Sequence, residues 1–157
     1  MSSSGKSKAA VPKIKNASIV VFRTEWNAPI VDELFAGCKK ILLANKIDFH
    51  DYQVPGAFEI PFAIKNYWRN TRKKKPSAFI ALGCVIKGDT PHFEYVCRAV
   101  TDGIAALNLQ LPIPVIFGVL TVDNPDQARE RLGGTHGHKG EEAADAAIKM
   151  ISFSRSI

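Results

Sequence analysis

Cysteine is scarce in this sequence: the three residues Cys38, Cys84 and Cys97 are odd in number and form no CxxC pair. That usage points to reduced thiols in a cytosolic compartment, so a cytoplasmic protein is expected. No apolar run is long enough to span a bilayer, which leaves a membrane out of the expected partners. The Ser- and Lys-rich start, Met1–Ala10, lacks the apolar segment of a secretory signal and reads as part of a flexible basic tail over residues 1–15, with a transit peptide the weaker reading. No GxGxxG follows the first apolar segment, and the Gly133–Gly140 loop lacks phosphate-loop spacing and follows a helix, so neither dinucleotide nor nucleotide binding is supported. There is no internal repeat and no second domain; residues 16–157 are expected to form one.

What remains is an ordinary globular composition. The chain has 157 residues, 46% hydrophobic and 23% charged, enough for one domain with a sizeable core. The net charge of +6 is concentrated in the tail, at Lys6, Lys8, Lys13 and Lys15, and in the segment Arg69–Lys75. A basic cluster can contact nucleic acid, but this one has no interleaved aromatics beyond Tyr67 and Trp68, which fit the preceding helix. A solvated loop is the favoured reading, and no nucleic-acid partner is expected.

Periodicity predicts strands at Ser18–Phe22, Phe49–Val54, Ala78–Ile86 and Pro114–Thr121. It predicts helices at Pro29–Asn45, Ile60–Asn70, Pro91–Leu107, Pro125–Leu132 and Glu141–Ser154, with Gly133–Gly140 left as a loop. Strand alternates with helix throughout, which favours a parallel sheet covered on both faces with right-handed crossovers. Ligands in such sheets bind beyond the carboxyl ends of the strands. Four loops should therefore converge there: Thr24–Asn27, Pro55–Glu59, Ile86–His92 and Thr121–Asn124.

The richest of these is the run Gly83–Val96. A strand ends in Lys87-Gly88-Asp89-Thr90, and a helix starts at Pro91-His92. Thr90 suits an N-cap and Pro91 the first helical position. Free amides at a helix start are an anion seat, and His92 supplies a side chain suited to moving protons near neutral pH. In the first loop Trp26 could stack on a flat heterocycle, while Asn27 has the plainer reading of a helix cap. In the second, Gly56 and Ala57 leave main-chain groups accessible. Glu59 could accept hydrogen bonds from hydroxyls or ring N–H groups, or only complement a helix dipole. Arg131 and Lys139 flank the glycine loop and suit a phosphate. Cys84 sits in an apolar strand and reads as a small core residue rather than a nucleophile. His136 and His138 lack a third ligand at suitable spacing, so no metal is expected.

Five segments, in order, carry a family resemblance: Trp26-Asn27, Val54–Pro61, Gly83–Val96, Ile116–Thr121 and Gln127–Arg131. Together, from about Ser18 to Met150, the chain resembles the 6,7-dimethyl-8-ribityllumazine synthases, transferases of the penultimate step of riboflavin biosynthesis. The resemblance implies a flavodoxin-like three-layer α/β/α sandwich on a four-stranded parallel sheet. It implies condensation of 5-amino-6-(D-ribitylamino)uracil with 3,4-dihydroxy-2-butanone 4-phosphate, releasing phosphate and water, with no cofactor. Trp26 would take the place of an aromatic, often Phe, that stacks on the pyrimidine, and Asn27 belongs to the same subsite. Ala57, Phe58 and Glu59 would meet the ribityl chain and ring, and Cys84, Val85 and Ile86 would line the pyrimidine pocket. Gly88, Asp89 and Thr90 would seat the phosphate, with Arg131 closing it, and His92 would transfer protons. Phe117 would cover the ring from a neighbouring subunit, and Lys139 and Glu142 would add polar contacts. The steps implied are Schiff-base formation, phosphate elimination and ring closure.

The resemblance also implies a homo-oligomer, a pentamer or a sixty-subunit icosahedral capsid, with sites between subunits and riboflavin synthase as a further partner. The glycine loop lacks the insertion of pentamer-only members, whereas Pro12 opposes strand pairing by the tail. Lys87 stands where Arg is frequent, and the Gly133–Lys139 loop departs from the family residue by residue. Two other classes stay open beside the enzyme: a non-catalytic lumazine or flavin carrier, which need not keep His92 and Arg131, and a nucleic-acid binder using Arg69–Lys75.

Overall fold

The computed structural model describes residues 9–72 and 74–157. The expected flexible tail lies outside the described residues over its first eight positions, as does Lys73 of the basic cluster. Val11 and Ile14 pack against the core.

The chain runs β1 (Ser18–Thr24), α1 (Ala28–Ala44), β2 (Asp48–Val54), a 3-10 turn (Ala57–Glu59), α2 (Ile60–Asn70), β3 (Ala78–Ile86), α3 (His92–Gln110), β4 (Val115–Val122), α4 (Pro125–Arg129), β5 (Leu132–Gly134), β6 (Gly137–His138) and α5 (Lys139–Ser156). Four strands form a parallel sheet in the order β2-β1-β3-β4. The period-two pattern of β1 splits the core. Ile19 and Val21 point to one face with Cys38 and Leu42 of α1 and Ala144, Ile148 and Ile151 of α5. Val20 and Phe22 point to the other with Ile60 and Ile64 of α2 and Val100, Ile104 and Leu107 of α3. This is the expected three-layer, flavodoxin-like α/β/α sandwich.

Several boundaries differ from expectation. The helix α3 runs on to Gln110 because the Asn108 amide pins its end to β4: Nδ2 donates to Val115 O at 2.9 Å, and Oδ1 accepts from Val115 N–H at 2.9 Å. The short α4 stops at Arg129, with Asn124 capping it as expected by accepting from Gln127 N–H at 3.0 Å. The expected Gly133–Gly140 loop is instead a small antiparallel hairpin, β5–β6, running straight into α5. Glycines at φ 107 (Gly133) and 74 (Gly137) make its tight reversal accessible.

The helices α1 and α5 cross at very close range. A Cβ on Gly140 would lie 1.9 Å from the Leu34 carbonyl oxygen, and one on Gly37 would lie 2.1 Å from the His138 ring. Glycine at these two positions is therefore what allows α5, and the hairpin before it, to sit against α1.

Candidate active site

The loop after β1 is fastened on both sides. Glu25 N–H donates to Val54 O at 2.8 Å and Trp26 N–H to Pro55 O at 3.1 Å, which extends the β1–β2 ladder past the strand ends. The Thr24 hydroxyl donates to Trp26 O at 3.3 Å. Among the described residues Thr24 is the one buried polar residue, 2% exposed, and a role for it was not read from the sequence. Asn27 corrects an expectation. Its side chain does not cap α1; the residue adopts left-handed dihedrals (φ 58, ψ 38), and its carbonyl accepts from Ile30 and Val31. The freed side-chain amide donates instead to Cys84 O at 2.8 Å, tying β1's loop to the end of β3.

This fastening holds Trp26 with its ring across Gly56 and 62% exposed. A Cβ on Gly56 would meet the indole at 2.6 Å and Glu59 Oε2 at 3.1 Å. Ring and carboxylate thus share one small space above a glycine. Glu59 Oε2 is buried and has no hydrogen-bond partner among the described residues. An orphaned buried carboxylate oxygen is costly unless a ligand's donor completes it, which is how a hydroxyl-rich or N–H-bearing ligand would be held. Phe58 projects outward, 59% exposed, while the Ala57 side chain is buried among Val20, Phe22 and Ile60. Ala57 can therefore meet a ligand only through its main chain.

At the end of β3, Cys84 packs with Val31, Leu34 and Leu120. Burial pushes its thiol up to about 11, so it is a protonated core group at neutral pH, as the sequence reading expects. Val85 and Ile86 are half-buried beyond it, and Lys87 N–H donates to Val122 O at 2.9 Å. Gly88, Asp89, Thr90 and His92 are all exposed at the mouth of this edge. The helix begins one residue later than expected, with Pro91 in the cap position and the Thr90 hydroxyl accepting from His92 N–H at 3.4 Å.

The remaining candidates gather elsewhere. Phe117, Arg131, Lys139 and Glu142 line a groove of about 500 Å³ along the open edge of β4 beside α5. Lys139 Nζ lies 2.7 Å from Glu142 Oε2, both side chains largely shielded. Arg131 Nη1 donates to Gln127 O at 2.7 Å. The sheet order places this groove at least two strand spacings, about 10 Å, from the Trp26 loop between β1 and β2. Within one chain the Trp26 loop and this groove are therefore separate features of the fold, while the Lys87–His92 segment, after β3, lies next to β4.

His138 Nδ1 accepts from Glu141 N–H at 3.4 Å and caps α5. No group of three or more His, Cys, Asp or Glu side chains lies together among the described residues. In the basic cluster, Lys75 Nζ sits 4.5 Å from the centroid of the Trp68 ring and donates to Trp68 O, a local contact. Among the described residues no helix is long and apolar enough to cross a membrane.

The sequence profile of the 6,7-dimethyl-8-ribityllumazine synthases matches residues 16–155. The chain belongs to the 6,7-dimethyl-8-ribityllumazine synthase family. It is 44% identical over 148 residues to the 6,7-dimethyl-8-ribityllumazine synthase of Parabacteroides distasonis, covering 92% of this chain and 91% of that one. It is 42% identical over 145 residues to that of Cytophaga hutchinsonii, covering 90% and 89%. It is 45% identical over 137 residues to that of Bacteroides fragilis, covering 85% and 94%. The synthase profile spans both the Trp26 loop and the β4–α5 groove.

Proposed function

We propose that this synthase works at a site assembled from two copies of the chain. The reaction is its family's: it condenses 5-amino-6-(D-ribitylamino)uracil with 3,4-dihydroxy-2-butanone 4-phosphate to 6,7-dimethyl-8-ribityllumazine, phosphate and water. The observation that carries the shared site is the separation of the Trp26 loop from the β4–α5 groove. The edges of the sheet also differ. The β4 edge is apolar, Val115–Val122, with Phe117 37% exposed, whereas the β2 edge, Asp48–Val54, is polar. An exposed apolar edge invites pairing unless covered. Unlike edges suit a head-to-tail contact, which forms a ring where the rotation between copies closes. Such a ring sets the β4–α5 groove of one copy against the strand ends of the next. The pentamer, and a shell built from pentamers, are assemblies of this type.

In that site Trp26 stacks on the pyrimidine, and Glu59 accepts from ring N–H or ribityl hydroxyls. Asn27 acts mainly through the fastening to Cys84, with Val85 and Ile86 forming the apolar wall. Phe117 of the next copy covers the ring. The ketone's phosphate sits on the Gly88-Asp89-Thr90 turn at the start of α3, opposite Arg131 of the next copy, while Lys139, paired with Glu142, adds polar contacts to the pyrimidine and ribityl side. The uracil's amine attacks the carbonyl; His92 moves the protons that let water leave and the Schiff base form. Departure of phosphate is helped by Arg131 and the turn amides that hold its charge. Attack of the ribitylamino nitrogen then closes the ring with loss of the second water. Holding two polar substrates in register supplies much of the acceleration.

Three free, burial-shifted thiols suit a reducing compartment, so we place the enzyme in the cytoplasm. Riboflavin synthase, which consumes the lumazine, is the proposed protein partner. The test is to mix the purified chain with both substrates and follow lumazine absorbance and phosphate release together. Acceleration over the spontaneous reaction is expected; lumazine binding without acceleration would favour the carrier reading instead.

A further inference from the structure

Arg131 and Lys139 stand at the two ends of the β5–β6 hairpin. Lys139 N–H donates to Arg131 O at 2.9 Å, and Arg131 N–H donates to Ala128 O at 2.9 Å, so the two cations are joined through their main chains. Strand pairing in between is short, Leu132 with His138 and Gly134 with Gly137, with an irregular register. A hairpin this small is weak alone.

The turn is held by Glu130 instead. Its Oε2 accepts from Thr135 N–H at 3.1 Å and from the Thr135 hydroxyl, and its main-chain carbonyl accepts from His136 N–H at 3.1 Å. Gly134 lies directly on it: a Cβ there would sit 2.9 Å from Glu130 Cα and 3.0 Å from Oε2. The hydrogen bonds from Thr135, helped by the nearby charges of His136 and Arg131, hold the Glu130 carboxyl below its ordinary value. The clasp therefore uses the carboxylate form.

We propose that Glu130 is a positioning residue for Arg131. Its carboxylate, clasped to Thr135, fixes the hairpin that aims the Arg131 guanidinium at the phosphate of the ketone substrate, while the Lys139 ammonium is paired with Glu142. Among the described residues it forms no salt bridge with Arg131, whose guanidinium turns to Gln127 O. The hydrogen bonds to the Glu130 carboxylate come from Thr135, so the guanidinium feels its charge without being pinned to it in a direct pair and can turn to the anion. This inference rests on the reading of Arg131 as a phosphate partner.

The test is steady-state kinetics on Glu130→Gln, Thr135→Val, Thr135→Ser, Arg131→Ala and Glu130→Gln/Arg131→Ala, each checked for fold and assembly by circular dichroism and sedimentation. Glu130→Gln and Thr135→Val should raise KM for the butanone phosphate by about tenfold while leaving KM for the pyrimidine within about twofold. Thr135→Ser should restore the wild-type value. In the Arg131→Ala background the Glu130→Gln effect should shrink below about twofold, because it acts through the missing side chain. Should Glu130→Gln fail to fold, Thr135→Val and its serine rescue decide alone. Impaired Arg131→Ala beside unimpaired Glu130→Gln and Thr135→Val overturns the proposal alone. An Arg131→Ala enzyme with unchanged KM overturns the phosphate reading, and the proposal with it.

Discussion

Gly56 is where the proposed pyrimidine subsite is most exposed to a single-atom change. Its backbone is extended, so alanine is tolerated there conformationally, yet the new methyl would stand where Trp26 and Glu59 now meet. Gly56→Ala should leave the unfolding midpoint nearly unchanged and weaken pyrimidine binding by about 0.5–1.5 kcal/mol, the worth of a displaced aromatic contact. Titration with the substrate pyrimidine measures this directly. His92→Ala should lower kcat by about 10²-fold with little change in KM for either substrate; a variant of full activity would leave proton transfer to solvent. The thiols give a third check. With the Cys84 thiol pushed up to about 11 and that of Cys38 to about 12, their thiolate fractions at pH 8 fall by about 10²-fold or more from ordinary thiols. Both should resist alkylation in native protein and react promptly in denaturant.

Among the elements, β3 and α2 match their sequence-derived bounds because each carries one uninterrupted signal. For β3 it is an apolar run ended by Lys87-Gly88; for α2 it is a helical stripe entered through Pro61. The hairpin β5–β6 was not legible: three- and two-residue strands are too short for any period, and what holds them is a carboxylate five residues away. Thr24 was invisible for a related reason, since its burial follows from packing against Gly83 across the sheet rather than from its neighbours in sequence. The candidate residues at the strand ends were readable from topology. Asn27's reach to Cys84 was not, because left-handed dihedrals turn its side chain away from the helix it begins. The α1–α5 crossing makes the element-scale prediction. Gly140→Ala forces a methyl against the Leu34 carbonyl and should cost about 1–3 kcal/mol, read as a lower denaturant midpoint.

Across the molecule, the strand ends carry one group of candidate residues and the β4–α5 groove another, and the sheet order sets the Trp26 loop two strands away from the groove. In the proposed site the two groups meet between copies. The direct measurement is subunit complementation. One chain carries Trp26→Ala and His92→Ala, disabling the strand-end half; the other carries Arg131→Ala, disabling the groove half. Each is assayed alone and after the two are co-assembled in equal amounts. In a head-to-tail ring about a quarter of the junctions would join two intact halves, so the mixed assembly should regain up to about a quarter of wild-type turnover. A mixture no more active than the average of its separate components, with co-assembly verified, would contradict the shared site.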